Sequence, residues 1–128
     1  MKITMIERPR ASGKTSLLKL KVHESIHEYD VVVVLGNSSR STRNLRDYFE
    51  SFNYNIKFSL KAIEHMDCKR CLIVIDEPFL IAPNVQEEMF QIFNKVSRSN
   101  DVELWGIGTV MAKEKPVFEQ FIENENKH

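Results

Sequence analysis

Along the chain, short unbroken apolar runs alternate with stretches in which apolar residues recur at helical spacing. Ile3 to Ile6 reads as a first strand. Leu17, Leu18, Val22 and Ile26 then predict a helix from Thr15 to about Glu28, with a turn at Asp30. The run Val31 to Leu35 is continuous and mostly β-branched, as a strand buried on both faces requires, and Gly36 with Asn37 ends it. Ser39 or Ser41 is placed to cap a second helix reaching about Phe52, followed by a short strand from Ile56 to Ser59. Leu60 to about Asp67 reads as a further helical piece and Cys71 to Ile75 as another buried strand. Val85 to about Arg98 reads as an amphipathic helix, Val102 to Thr109 as a strand, and Pro116 opens a final helix through Ile122. This rhythm predicts one α/β domain over residues 1–128, with a mainly parallel sheet and helices against it. Only the tail from Asn124 to His128 is expected to fray.

Composition narrows the class. A chain of 128 residues with 42% hydrophobic content can bury one core, and nothing in its length calls for a second domain. Its 18 basic and 18 acidic residues cancel, so nucleic-acid contact would need a local patch. The start, Met1 to Arg10, lacks the features of a secretory signal, and no apolar run reaches spanning length. A soluble, cytoplasmic protein without membrane contact is expected. The two cysteines are too few for a disulfide scaffold, and their CxxC spacing fits a reducing compartment as well as any other.

Candidate chemistry gathers at two strand ends. Arg8 to Thr15 fits the pattern GxxxxGK[ST] except at its first position, where Arg8 replaces glycine. A phosphate loop needs inward backbone N–H groups, a small residue at closest approach, a lysine for the terminal phosphates and a hydroxyl for magnesium. Gly13, Lys14 and Thr15 supply the last three, and Arg10, Ala11, Ser12, Gly13, Lys14, Thr15 and Ser16 are the expected nucleotide contacts. An ordinary strand-to-helix turn is the competing reading; placement between a predicted strand and a predicted helix favours the loop. The second strand end carries Asp76 and Glu77, and ligands of open α/β sheets gather at the carboxyl ends of strands. Asp76 is suited to hold Mg2+ with Thr15, and Glu77 to orient and deprotonate an attacking water. Two acids capping a strand end at the surface is the plain alternative.

These residues resemble the additional-strand, catalytic-glutamate branch of P-loop ATPases, and within it the HerA/FtsK-type and viral DNA-packaging ATPases. Pro9, Arg10, Gly13, Lys14 and Thr15 match the PRxxGKT loop of large terminase subunits, in which the first glycine is lost. Val74 to Thr109 is similar to the family's succession of strand, acid pair, helix, arginine and strand ending in a polar sensor. The resemblance implies the three-layer sandwich of P-loop nucleoside triphosphatases reduced to a minimal core, with ATP and Mg2+ as ligands. It implies catalytic roles for Lys14 and Glu77, an arginine role for Arg98, acting from a neighbouring subunit of a homo-oligomer, and a sensor role for Thr109. Val110 stands where the family usually has glutamine, so only Thr109 carries over. The chain ends before the last core strand of most relatives and no nuclease domain follows, so a complete packaging motor is not expected. Two functions follow: an ATPase coupled to nucleic-acid translocation or viral packaging, in the host cytoplasm if viral, or a nucleotide-dependent switch acting on an unknown protein partner.

Other patterns carry less. Asn94 to Ser97 lacks the aspartate of a guanine-reading NKxD segment, and a small-molecule kinase would call for an arginine-rich lid rather than a catalytic glutamate. His23, Glu24 and His27 match HExxH without a convincing third ligand, and His65, Cys68 and Cys71 offer one CxxC without a second pair. Arg40, Arg43 and Arg46 recur every three residues, which aligns them as a candidate nucleic-acid face; a solvated basic face diluted by Asp47 and Glu50 is the alternative. Phe90 and Phe93, with Met89 and Val96, are expected to pack a helix onto the sheet.

Overall fold

The computed structural model describes residues 2–9, 13–52, 55–64, 70–98 and 100–109. In chain order they form β1 (Lys2–Arg8), α1 (Lys14–Ser25), β2 (Val31–Leu35), α2 (Ser39–Phe49), β3 (Ile56–Lys57), β4 (Arg70–Asp76), α3 (Pro83–Ser97) and β5 (Asp101–Thr109). The strands make one five-stranded sheet in the order β1-β5-β4-β2-β3, and every pairing is parallel.

Side chains of successive strand residues point to opposite faces, and both faces of the central strands are buried. Val31, Val33, Ile73, Ile75 and Leu104 share one core with Met89, Phe90, Phe93 and Val96 of α3. Val32, Val34, Leu72, Val74, Trp105 and Ile107 share the other with Leu18 and Val22 of α1 and Leu45 and Phe49 of α2. Helices thus cover the sheet on both faces, which is why its inner strands read as uninterrupted apolar runs. Phe90 and Phe93 lie in this packing, their ring centroids 6.2 Å apart.

Several boundaries move from their predicted places for local reasons. Helix α1 stops at Ser25, where Glu28 and Tyr29 both donate their N–H to the Ser25 carbonyl and close a turn. Helix α2 is capped by Ser38 instead of Ser39 or Ser41, because the Ser38 Oγ accepts from the Ser41 N–H while the Ser41 Oγ accepts from the Ser38 N–H. Helix α3 begins at Pro83, whose fixed φ suits a first helical position, two residues before the apolar rhythm starts. The piece predicted from Leu60 is a single 3-10 turn over Leu60–Ala62; its remainder beyond Glu64 lies outside the described residues. The helix predicted from Pro116 and the tail from Asn124 to His128 also lie outside them. Among the described residues, no helix is long and apolar enough to cross a membrane.

Candidate functional site

Parallel pairing brings the carboxyl ends of β1, β5 and β4 to one edge of the sheet. Register is the ruler: Arg8 stands opposite Thr109, and Ile107 opposite Asp76. The ends of β1 and β4 are therefore separated only by β5.

After β1, Gly13 caps α1 with φ 77° and ψ 31°. This left-handed geometry is open to glycine and costs other residues about 1–2 kcal/mol. Among the described residues an added Cβ would meet nothing within 4 Å, so the demand they place on this position is conformational and not steric. Lys14 follows as the first residue of α1, and its Nζ reaches back to donate to the Pro9 carbonyl at 3.3 Å. The same Nζ lies 3.8 Å from Glu77 Oε1, with both side chains about six-sevenths covered, at 13% and 16% exposure. Lys14 thus links the β1 end, the α1 start and the β4 end. Thr15 and Ser16 are exposed in the first turn of α1, and Arg10, Ala11 and Ser12 lie outside the described residues.

Glu77 is the only non-glycine residue with positive φ among those described, at φ 54° and ψ 57°. Such a conformation costs on the order of 1–3 kcal/mol and persists only where the surroundings enforce it. Here its N–H donates to the Ile107 carbonyl at 2.9 Å, and its own carbonyl accepts from the Leu80 N–H at 3.1 Å. Its carboxylate is gripped by Thr109, with the Oγ1 donating to Oε1 at 2.6 Å and the backbone N–H to Oε2 at 3.1 Å. The turn that follows, Pro78–Leu80, lies over β5 where Gly106 and Gly108 leave room. A Cβ at residue 106 would come within 3.2 Å of Pro78, and one at residue 108 within 3.0 Å of Phe79. Those two glycines support the turn bearing Glu77, and their only mark in the sequence is two bare positions on one face of a strand.

Asp76 is partly buried at the end of β4. Burial first, and then the neighbouring Glu77 charge, raise its pKa above 3.8, while Lys14 pulls it back. The acid pair therefore has two environments: Glu77 is hydrogen-bonded and ion-paired, and Asp76 is short of positive charge.

The other predicted residues fall elsewhere. Arg98 is exposed at the C-terminal end of α3, before β5 begins, whereas Thr109 ends β5 at the opposite edge of the sheet. Arg40, Arg43 and Arg46 are all exposed along α2. Arg43 and Arg46 line the cavity beside α2, while Arg40 does not. His23 sits among the rings of Tyr48, Phe49 and Phe52, with centroids 5.0–6.0 Å away. Its Nε2 is 3.3 Å from the Tyr48 hydroxyl. Among the described residues no group of three or more His, Cys, Asp or Glu side chains is gathered to hold a metal; His65 and Cys68 lie outside them.

Neither protein-family models nor curated proteins yield a match to this sequence.

Proposed function

We propose that the chain is a P-loop protein that binds ATP with magnesium and hydrolyses it. The observation that carries this reading is the convergence of Lys14 and Thr109 on Glu77 at the carboxyl edge of a parallel sheet, next to a glycine-capped helix start. Placement of β5 between the strand leading into Gly13 and the strand bearing Asp76 agrees with the additional strand after which the resembling branch is named.

Among the described residues the N-terminus of α1 has no side-chain cap and no acid in its first turn, so it favours an anion. Lys14 would take the terminal phosphates in place of the Glu77 carboxylate. The donors on hand are oxygens, the Thr15 hydroxyl and the Asp76 carboxylate, which suits a hard cation keeping most of its waters. Held there, magnesium would neutralise part of the phosphate charge. Glu77 would orient the attacking water and accept its proton, with Thr109 setting the carboxylate's direction through two hydrogen bonds. Arg98, remote from its own chain's site, would act on the site of a neighbouring copy.

Binding and turnover can be separated. Lys14→Ala should lose ATP affinity at least tenfold in calorimetry, because the cation nearest the helix start is gone. Glu77→Gln should still bind ATP but turn over about 100-fold or more slowly, since the amide keeps size and loses basicity. Parent-like binding in Lys14→Ala, or parent-like turnover in Glu77→Gln, would refute the assignment.

A further inference from the structure

Besides the Lys14 site, the described residues form a second concavity, of about 800 Å³, at the carboxyl end of β2 between α2 and α3. That volume lies in the range of small-ligand sites and suits one or two nucleotides. Its walls differ in character. Arg43 and Arg46 of α2 and Lys61 of the 3-10 turn supply three cations, against the single carboxylate of Glu88. Leu35, Phe58, Val85 and Ile92, which keep exposed area, supply apolar surface, with the buried Ile81 and Met89 behind them.

We propose that this groove binds single-stranded nucleic acid, with phosphates on Arg43, Arg46 and Lys61 and unpaired bases against the apolar wall. The cations select an anion, and their distribution selects its form. Arg43 and Arg46 are three residues apart, roughly 4.5 Å along the helix axis, and Lys61 comes from another element, so the charge is spread along the groove. Successive phosphates of a strand match a spread charge better than one terminal phosphate does. The start of α2 adds no anion site, because Ser38 and Ser41 already occupy its cap. The apolar wall argues against a duplex, whose outer surface offers phosphates while its base faces are stacked away; only unpaired bases present apolar faces to a protein. This proposal rests on the groove alone and not on the nucleotide reading.

The test is fluorescence anisotropy with a labelled oligothymidylate, in the absence of ATP and magnesium, across a salt series. The parent should bind, and the double variant Arg43→Glu with Arg46→Glu should bind at least tenfold more weakly. For the parent, affinity should fall steeply with salt, and the slope of log affinity against log salt should shrink by about 1.4 in the double variant, at roughly 0.7 per lost phosphate contact. Lys61→Glu, on a separate element, should also weaken binding severalfold, so a folding defect in the α2 variant would not leave the question open. Arg40→Glu, on the same helix but outside the groove, should change affinity less than threefold. The proposal is overturned if the parent does not bind, if the groove variants bind like the parent, or if Arg40→Glu matches them. It is also overturned if duplex DNA binds as tightly as the single strand, or if thymidine monophosphate or polyglutamate displaces the strand at equal concentration of charge; those results would indicate a backbone face, a mononucleotide pocket or an acidic-peptide site. A parent protein that binds ATP but not the strand would sink only the groove, and one that binds the strand but not ATP only the Lys14 site.

Discussion

Glu77 and Asp76 are adjacent in sequence and opposite in circumstance. Glu77 is held in a left-handed backbone and gripped by Thr109 and Lys14. Asp76 is desolvated beside a like charge, and its raised pKa has a definite sign for stability. A carboxyl group that binds its proton more tightly in the folded chain stabilises the fold at low pH and loses that contribution as pH rises through the interval from 3.8 to the raised value. Above that interval the charged form weighs against folding. Asp76→Asn should therefore melt a few degrees higher than the parent at pH 7 without magnesium or nucleotide, and the gap should close as pH falls towards 3.8. Thermal melts followed by circular dichroism at several pH values provide the check. A lower melting temperature for Asp76→Asn at pH 7 would mean that the carboxylate is stabilising. Added magnesium should reverse the order if Asp76 is a ligand, because the cation removes the charge imbalance that penalises the parent.

At the scale of elements, the junction of β2 and α2 shows how closely a helix can be tied to its strand. The Gly36 N–H donates to Thr42 Oγ1 at 2.9 Å, and a Cβ on residue 36 would lie 2.7 Å from the backbone carbonyl carbon of Ser41. Gly36→Ala must push α2 away from the sheet edge, and overpacking of this kind costs about 1–3 kcal/mol. A matching fall in the midpoint of urea unfolding, with little change in slope, is expected; an unchanged midpoint would show that the junction yields freely.

Elements were legible where one physical requirement dominated. The β-branched run Val31–Leu35 ends where the sequence says it should, because burial on both faces and a following glycine leave no alternative. At α2, by contrast, Ser38, Ser39 and Ser41 are chemically equivalent caps, and only the reciprocal bonds of Ser38 with Ser41 decide between them. The period of Arg40, Arg43 and Arg46 was visible, but that Arg43 and Arg46 line the groove depends on what packs beside α2, which no local pattern encodes. At the candidate site, Gly13, Lys14, Asp76 and Glu77 were legible as motifs. The grip of Thr109 on Glu77 was not, since it depends on the order β1-β5-β4 and the register within it, which are long-range pairings no local pattern encodes.

Across the whole molecule, Arg98 and Thr109 stand at opposite ends of β5, a strand of nine residues that spans roughly 26 Å at ~3.3 Å per residue. Arg98 can serve a nucleotide site only in another copy of the chain. If it does so as an arginine finger, its loss should lower turnover on the order of a thousandfold, and parent turnover should rise more than linearly with protein concentration. Arg98→Ala mixed with Lys14→Ala should then regain activity, each copy supplying what the other lacks. Turnover of Arg98→Ala equal to that of the parent at every concentration would leave Arg98 with only its place at the end of α3.

The position of β1 bears on how such a site would respond to its ligand. Among the described strands β1 has one neighbour, β5, whereas β4 and β2 are laddered on both sides. A strand bordered once can open by breaking a single ladder, so its amides belong to the low end of the range of local opening free energies. The half of the site that carries Pro9, Gly13 and Lys14 is consequently the compliant half, and the half that carries Asp76, Glu77 and Thr109 is the anvil against which it is pressed. A ligand spanning both would add a cross-link to the edge strand that the sheet itself does not supply, and a larger slowing of hydrogen exchange along Lys2–Arg8 than along β4 on ligand addition would be its signature.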